Sequence, residues 1–258
     1  MATHSSPCCF LFKEKLFMET KYCSYDYNKS IERIDEVLNG SDTSYEDKNT
    51  IPSRDTLTYN NGYYVNCSAI FIDMRKSKEL AEKHKRPVLA KIYKTYISEL
   101  VAVLRGHSKV NEVYIEGDCV WGIFDTPSKS DIDELFSISA MSSSLIDILN
   151  IKYKKKNYSE ITIGIGISYG SALFIKAGHK GSGINEVVWL GKLVGEAAKL
   201  CSHGNKTYND HETMVSNVFY DNLNDNNKKL LTKNYTHDCY HGNVINLTMN
   251  EWVTNNNG

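Results

Sequence analysis

Apolar residues first crowd together in YYVNCSAIFID (63–73), a run rich in β-branched and aromatic side chains that predicts a buried strand ending at Asp73. A helical stretch follows from about Ser77 to Leu104. Pro87 divides it or opens its second segment, and there Leu89, Ile92, Tyr96, Leu100 and Val103 recur at helical spacing. KVNEVYIEGDCVWGIFD (109–125) then reads as two strands around a tight turn at Gly117–Asp118. Ser130 with Asp133 predicts the start of a third helix, running to about Asn150, with Ile132, Leu135, Phe136, Ile138, Met141, Leu145 and Ile148 on its apolar side. EITIGIGISYGSALFIKAG (160–178) predicts a pair of strands joined near Gly170. NEVVWLGKLVGEAAKLCSHG (185–204) predicts a short strand, a turn at Gly191 and a helix ending before Gly204.

The flanks are weaker. Residues 1–62 read as an extension with one helix, capped by Ser30 and stopped by Gly40, before the polar, loop-like SDTSYEDKNTIPSRD. Residues 206–258 add a helical stretch near Val218 to Leu231 and a strand pair. The central segment, 63–205, runs strand, helix, hairpin, helix, strand. That is an α+β order of the ferredoxin-like type, βαββαβ, with additions at both ends.

Composition narrows the function classes. With 30 Lys+Arg against 31 Asp+Glu there is no basic excess, so a dedicated nucleic-acid binder is not expected. No stretch approaches the roughly 18 apolar residues of a membrane span, and the N-terminus lacks a secretory leader pattern. The seven cysteines are scattered, and adjacent Cys8 and Cys9 lack metal-site spacing. Reduced thiols and a cytoplasmic location are expected. Gly164-x-Gly166 lacks the third glycine of a dinucleotide fingerprint, and Gly178, Gly181 and Gly183 lack the ending of a phosphate loop.

Two carboxylates carry the candidate chemistry. Asp73 ends an apolar strand, where a charge is costly without a partner, and Asp118 lies in the hairpin turn. Singly, Asp118 reads as a turn former and Asp73 as a cap for the next helix. On this order of elements they converge on one sheet edge, where two like charges call for a divalent cation. Oxygen ligands of this kind suit Mg²⁺ or Mn²⁺ held together with a substrate phosphate.

FIDMRKS (71–77), YIEGDCVWGIF (114–124), ITIGIGISYGSA (161–172) and VWLGKLVGEAAKL (188–200) resemble, in order and spacing, the four core blocks of class III nucleotidyl cyclases. The run after the first strand, AGHKGSGINEVVW (177–189) and the C-terminal YHGN and MNEW resemble the bacterial pyrimidine cyclases of Pycsar anti-phage defence in particular. The resemblance implies a homodimer with nucleotide sites between subunits. It makes Asp73 and Asp118 the metal ligands, with the backbone carbonyl of Met74 as a third. Two divalent ions, Mn²⁺ or Mg²⁺, would serve each site, with Arg75 and Lys76 beside the phosphates. Purine-specific members carry Lys or Glu four residues before the second aspartate, and a polar residue three before the helix-opening glycine. Here those positions are Tyr114 and Val188, which implies a pyrimidine triphosphate, CTP slightly ahead of UTP. The family's transition-state Asn and Arg correspond to Gly195 and Lys199, so Lys199 is the remaining cation. The product would be a second messenger acting on a separate effector. Alternatives are a purine cyclase and a catalytically weak nucleotide-binding module.

Overall fold

The structure, a computed structural model, describes residues 22–179 and 185–257. Cys8, Cys9, Gly181 and Gly183 lie outside the described residues. In chain order the elements are α1 (Tyr27–Leu38), β1 (Tyr45–Lys48), β2 (Gly62–Met74), α2 (Ser77–Lys83), α3 (Arg86–Arg105), β3 (Val110–Glu116), β4 (Cys119–Phe124) and α4 (Lys129–Lys154). They continue with β5 (Ile163–Gly178), β6 (Asn185–Leu190), α5 (Lys192–His203), β7 (Thr213–Val215), α6 (Asn217–Asn222), α7 (Asp225–Lys228), β8 (Thr232–Asn234), β9 (Cys239–Gly242) and α8 (Leu247–Asn256).

One sheet runs β3-β4-β2-β5-β7-β9-β8, with β1 parallel to β2 and β6 antiparallel to β5 at its margins. Its first four strands, with α3 and α4, form the ferredoxin-like unit expected from the order of elements. β2 is antiparallel to both its neighbours, β4 and β5.

Helices cover both sides of β2, which is why its sequence is apolar almost throughout. Ile70, Ile72 and Met74 face the core built with Ile92, Tyr96, Leu100 and Leu104 of α3 and Ile132, Leu135 and Phe136 of α4. Cys67, Ala69 and Phe71 face the other way, onto Trp121, Ile123 and the α5 residues Leu193, Ala197 and Cys201. Alternation along the strand therefore carries Asp73 onto the α5 side. α5 crosses β5 closely at Gly166. A Cβ there would strike the backbone of Ala197 and Cys201, so the Gly-x-Gly spacing serves helix–sheet contact.

Several expectations change. β5 is one continuous strand, not two joined near Gly170: its ladder with β2 runs unbroken from Ile175 opposite Gly62 to Ile163 opposite Met74. Gly170 simply faces Cys67 within it. α4 starts earlier than expected, because Ser128 and Asp131 form the capping box. α1 is capped by Asp26, whose Oδ1 accepts from the amides of Asn28 and Lys29 at 3.0 and 3.3 Å. Ser30 instead accepts from Arg33 inside the helix. The polar segment before Pro52 contains β1. Pro87 does open a separate helix, at the first turn of α3.

Before β7, the Glu212 carboxyl is enclosed between strand and helix and is pushed up to about 7, mainly by burial and further by Asp147. Ser143, Asn205 and Arg75 act against that rise. Asn205 Nδ2 donates to Glu212 Oε2 at 3.1 Å. Among the described residues no helix is long and apolar enough to cross a membrane.

Candidate active site

Asp73, next to last in β2, sits between Cys119 of β4 and Gly164 of β5. Asp118 occupies the β3–β4 turn, which Gly117 makes possible with a φ of +66°. Burial raises the Asp73 carboxyl above its ordinary range, and the Asp118 charge raises it further, so the two carboxylates lie in each other's field. Arg75 opposes the rise. Its Nη1 donates to Asp73 Oδ2 at 3.0 Å, its Nε to the Gly204 carbonyl at 2.7 Å, and its Nη2 to the Cys201 carbonyl. The guanidinium therefore ties the carboxylate to the C-terminal end of α5. Lys76, exposed and with φ +56°, caps the start of α2.

The oxygen set fits a hard divalent cation. Asp73, Asp118 and the Met74 carbonyl are all oxygen donors, and a cation would relieve the repulsion that raises Asp73. The Met74 side chain is buried in the core, so only its backbone is available. Among the described residues no cluster of three or more His, Cys, Asp or Glu could hold a metal. Mg²⁺-type ions need no such cage, because they keep water and substrate phosphate as ligands.

Tyr114 lies on the same side of the sheet as Asp73. Its ring stacks on Trp121 at 4.2 Å, and Trp121 stacks in turn on Phe71 at 4.8 Å. Its hydroxyl donates to Glu112 Oε2, which also accepts from Trp189 Nε1 at 3.1 Å. Burial and the Glu112 charge raise the phenol well above its ordinary value. Val188 is not brought to this cluster. On β6, Val187 and Trp189 pack with Tyr114's group, and alternation turns Val188 to the opposite side.

Lys199 does not join Asp73 within one chain. α5 buries Leu193, Ala197, Leu200 and Cys201, and turns Gly195 and Lys199 outward one helical turn apart. A Cβ at Gly195 would meet nothing within 4 Å. The thiols of Cys67 and Cys201, each pushed up to about 12 chiefly by burial, are poor nucleophiles. His241 is built into the scaffold: it stacks on His211 at 4.2 Å and accepts from the His211 amide at 3.2 Å.

Residues 60–248 match the model of the adenylate and guanylate cyclase catalytic domain. The chain belongs to that family. A uridylate cyclase of Gulbenkiania mobilis is 39% identical over 258 residues, covering 93% of this chain and 100% of the relative. A uridylate cyclase of Treponema porcinum is 35% identical over 252 residues, covering 95% and 85%. Among solved structures, the adenylyl cyclase CyaB of Pseudomonas aeruginosa superposes with a TM-score of 0.58 at 19% identity, covering 67% of this chain and 85% of that one. A class III adenylyl cyclase-like ATP-binding protein from the same organism gives a TM-score of 0.66 at 16% identity, covering 90% and 49%. These two show the shared fold.

The sequence did not point to Glu112 or Arg54. Glu112 is buried, and Arg54, from the segment before β2, pairs with its Oε1 at 2.6 Å. Glu112 and Glu116 both put carboxylates on the side of β3 that Tyr114 faces, so Glu112 carries only a faint signal. Its partners lie 58 and 77 positions away in the chain.

Proposed function

We propose that this cyclase converts UTP to 3′,5′-cyclic UMP and pyrophosphate as a homodimer, producing a messenger for a separate effector in anti-phage defence. The observation that carries the chemistry is the pair Asp73 and Asp118 on one sheet edge, each in the other's field. The pyrimidine choice is supported by Tyr114 where purine enzymes carry Lys or Glu, and by relatives at 35–39% identity that are uridylate cyclases. Nothing favours CTP, the substrate toward which the sequence leaned, over UTP.

In the reaction the ribose 3′-oxygen attacks the α-phosphorus, the bond from that phosphorus to the β-phosphate oxygen breaks so that pyrophosphate leaves, and the 3′-hydroxyl proton passes to water. Asp73, Asp118 and the Met74 carbonyl would hold Mg²⁺ or Mn²⁺, and such an ion would neutralise the triphosphate and acidify the 3′-hydroxyl. Arg75 keeps the Asp73 carboxylate ionised and aimed. Lys76 is placed to add charge near the phosphates. Lys199 faces outward and reaches a reacting phosphate only when a second chain supplies its own Asp73, which makes the dimer the working unit.

Purified protein incubated with Mn²⁺ and each of the four nucleoside triphosphates, with products separated by mass spectrometry, tests this directly. Cyclic UMP with pyrophosphate is expected. A purine product in preference, or no cyclic product, overturns the assignment. The second outcome is what a nucleotide-binding module would give, a reading motivated by the bare Gly195.

A further inference from the structure

Tyr114 by itself does not choose between pyrimidines, because a phenol hydroxyl can donate or accept. Its surroundings settle which. The hydroxyl has one proton, and that proton is directed to Glu112 Oε2. The acceptor cannot readily turn away. Trp189 Nε1 donates to the same oxygen at 3.1 Å, and the Arg54 guanidinium lies 2.6 Å from the other. The Glu112 side chain is only 7% exposed, and Arg54 supplies the countercharge that a buried carboxylate needs. The stack of Tyr114 on Trp121 fixes the ring as well.

We propose that Glu112 is a positioning residue for base selection: by holding the Tyr114 proton it leaves only lone pairs facing the nucleotide, so that Tyr114 is an acceptor. This rests on the reading of Tyr114 as a base-pocket residue. Uracil presents a donor at N3, which such an acceptor satisfies. Cytosine presents a lone pair at N3, which it repels, and an amino donor at C4, so an acceptor favours UTP where it meets N3 and CTP where it meets C4. With Tyr114 meeting N3, the placement that accords with the uridylate cyclase relatives, Glu112 turns an ambivalent hydroxyl into one that favours UTP. The cation completing the arrangement comes from the segment before β2, so the N-terminal extension takes part in substrate choice through Arg54.

The test is kcat/KM for UTP and CTP on wild type, Glu112→Gln, Glu112→Asp, Tyr114→Phe and the double variant Glu112→Gln/Tyr114→Phe. Arg54 draws the Gln amide oxygen to its own side, which turns the amide NH2 toward Tyr114 and frees the Tyr114 proton. Asp keeps the charge beside Arg54 but is one methylene shorter, so the fold has its buried ion pair while the hydroxyl loses its partner. Either single substitution at Glu112 should narrow the UTP-to-CTP ratio by about tenfold, with CTP turnover retained or raised. In the Tyr114→Phe background Glu112→Gln should leave the ratio where it is. Equal losses for both nucleotides in the Glu112 variants would make Glu112 a packing residue only and overturn the proposal. If Tyr114→Phe itself leaves the wild-type ratio intact, the failure lies with Tyr114 as a base contact.

Discussion

Replacing Glu212 with Gln should stabilise the protein, and only above mildly acidic pH. The enclosed carboxyl titrates at about 7 in the fold against an ordinary 4.5, because burial penalises its charge and Asp147 adds repulsion. The folded chain therefore keeps a proton that the unfolded chain releases between those two values. Stability falls as pH rises from 4.5 toward 7 and levels off above it. At about 1.4 kcal/mol per pH unit, the gap is worth about 3 kcal/mol. Gln carries no charge at any pH and can still accept from Asn205. The variant should match wild type at pH 4.5 and exceed it at pH 8 by up to about 3 kcal/mol, or roughly 6–12 °C in Tm for a chain of this size. Scanning calorimetry on both proteins at pH 4.5, 6 and 8, at one protein concentration, gives the difference. A gap that does not widen with pH, or a wild type more stable at pH 8, would refute a buried, proton-holding Glu212.

Asp73→Ala and Asp118→Ala should each abolish cyclisation while leaving the circular dichroism spectrum unchanged, since each removes a metal ligand and no core packing; activity within a few-fold of wild type in either variant counts against the metal assignment. Mixing Asp73→Ala protomers with Lys199→Ala protomers should restore one working site per mixed dimer, and confirmed heterodimers without activity would place both groups in one chain. Gly166→Ala should cost about 3 kcal/mol in urea denaturation, because its methyl overlaps the α5 backbone at Ala197 and Cys201; a loss under 1 kcal/mol would mean that the helix shifts freely. Tyr114→Ala should let ATP and GTP compete better against UTP, measured as the four kcat/KM ratios, and unchanged ratios would remove Tyr114 from the pocket.

The parts of this molecule legible in the sequence are those whose signal is local. Asp73 and Asp118 stood out because each interrupts a pattern, one at the end of an apolar strand and one in a hairpin turn. The order of elements was enough to bring them to the same edge. β5 was misread because Gly170 looks like a turn when taken with its neighbours alone. What keeps the chain straight there is thirteen residues of pairing with β2, set by a strand a hundred positions earlier. The helix starts were missed by a few residues because several Ser and Asp side chains in succession can each cap, and geometry alone selects Asp26 and Ser128. α8 went unrecognised: its TMNEWVTNN carries little apolar periodicity, and its entry is held by Asn246, whose amide donates to Ser144 of α4 at 2.9 Å. The Glu112 network was the least legible of all, since its members come from three distant segments and each is unremarkable alone.

Arg75 reaches the α5 carbonyls only through a gap that glycines leave. A methyl on Gly164 would lie 2.6 Å from the Arg75 Cζ and 2.6 Å from the Gly204 carbonyl oxygen, while one on Gly204 would press on the Glu212 carbonyl oxygen at 2.4 Å and on the Gly164 Cα at 3.0 Å. Position 75 therefore tolerates an arginine only while position 164 stays bare, and a side chain there expels the guanidinium from Asp73. The dependence runs one way: filling Gly164 would cost the arginine its place, whereas losing the arginine would free neither glycine, since Gly164 would still meet the Gly204 carbonyl and Gly204 the Glu212 carbonyl.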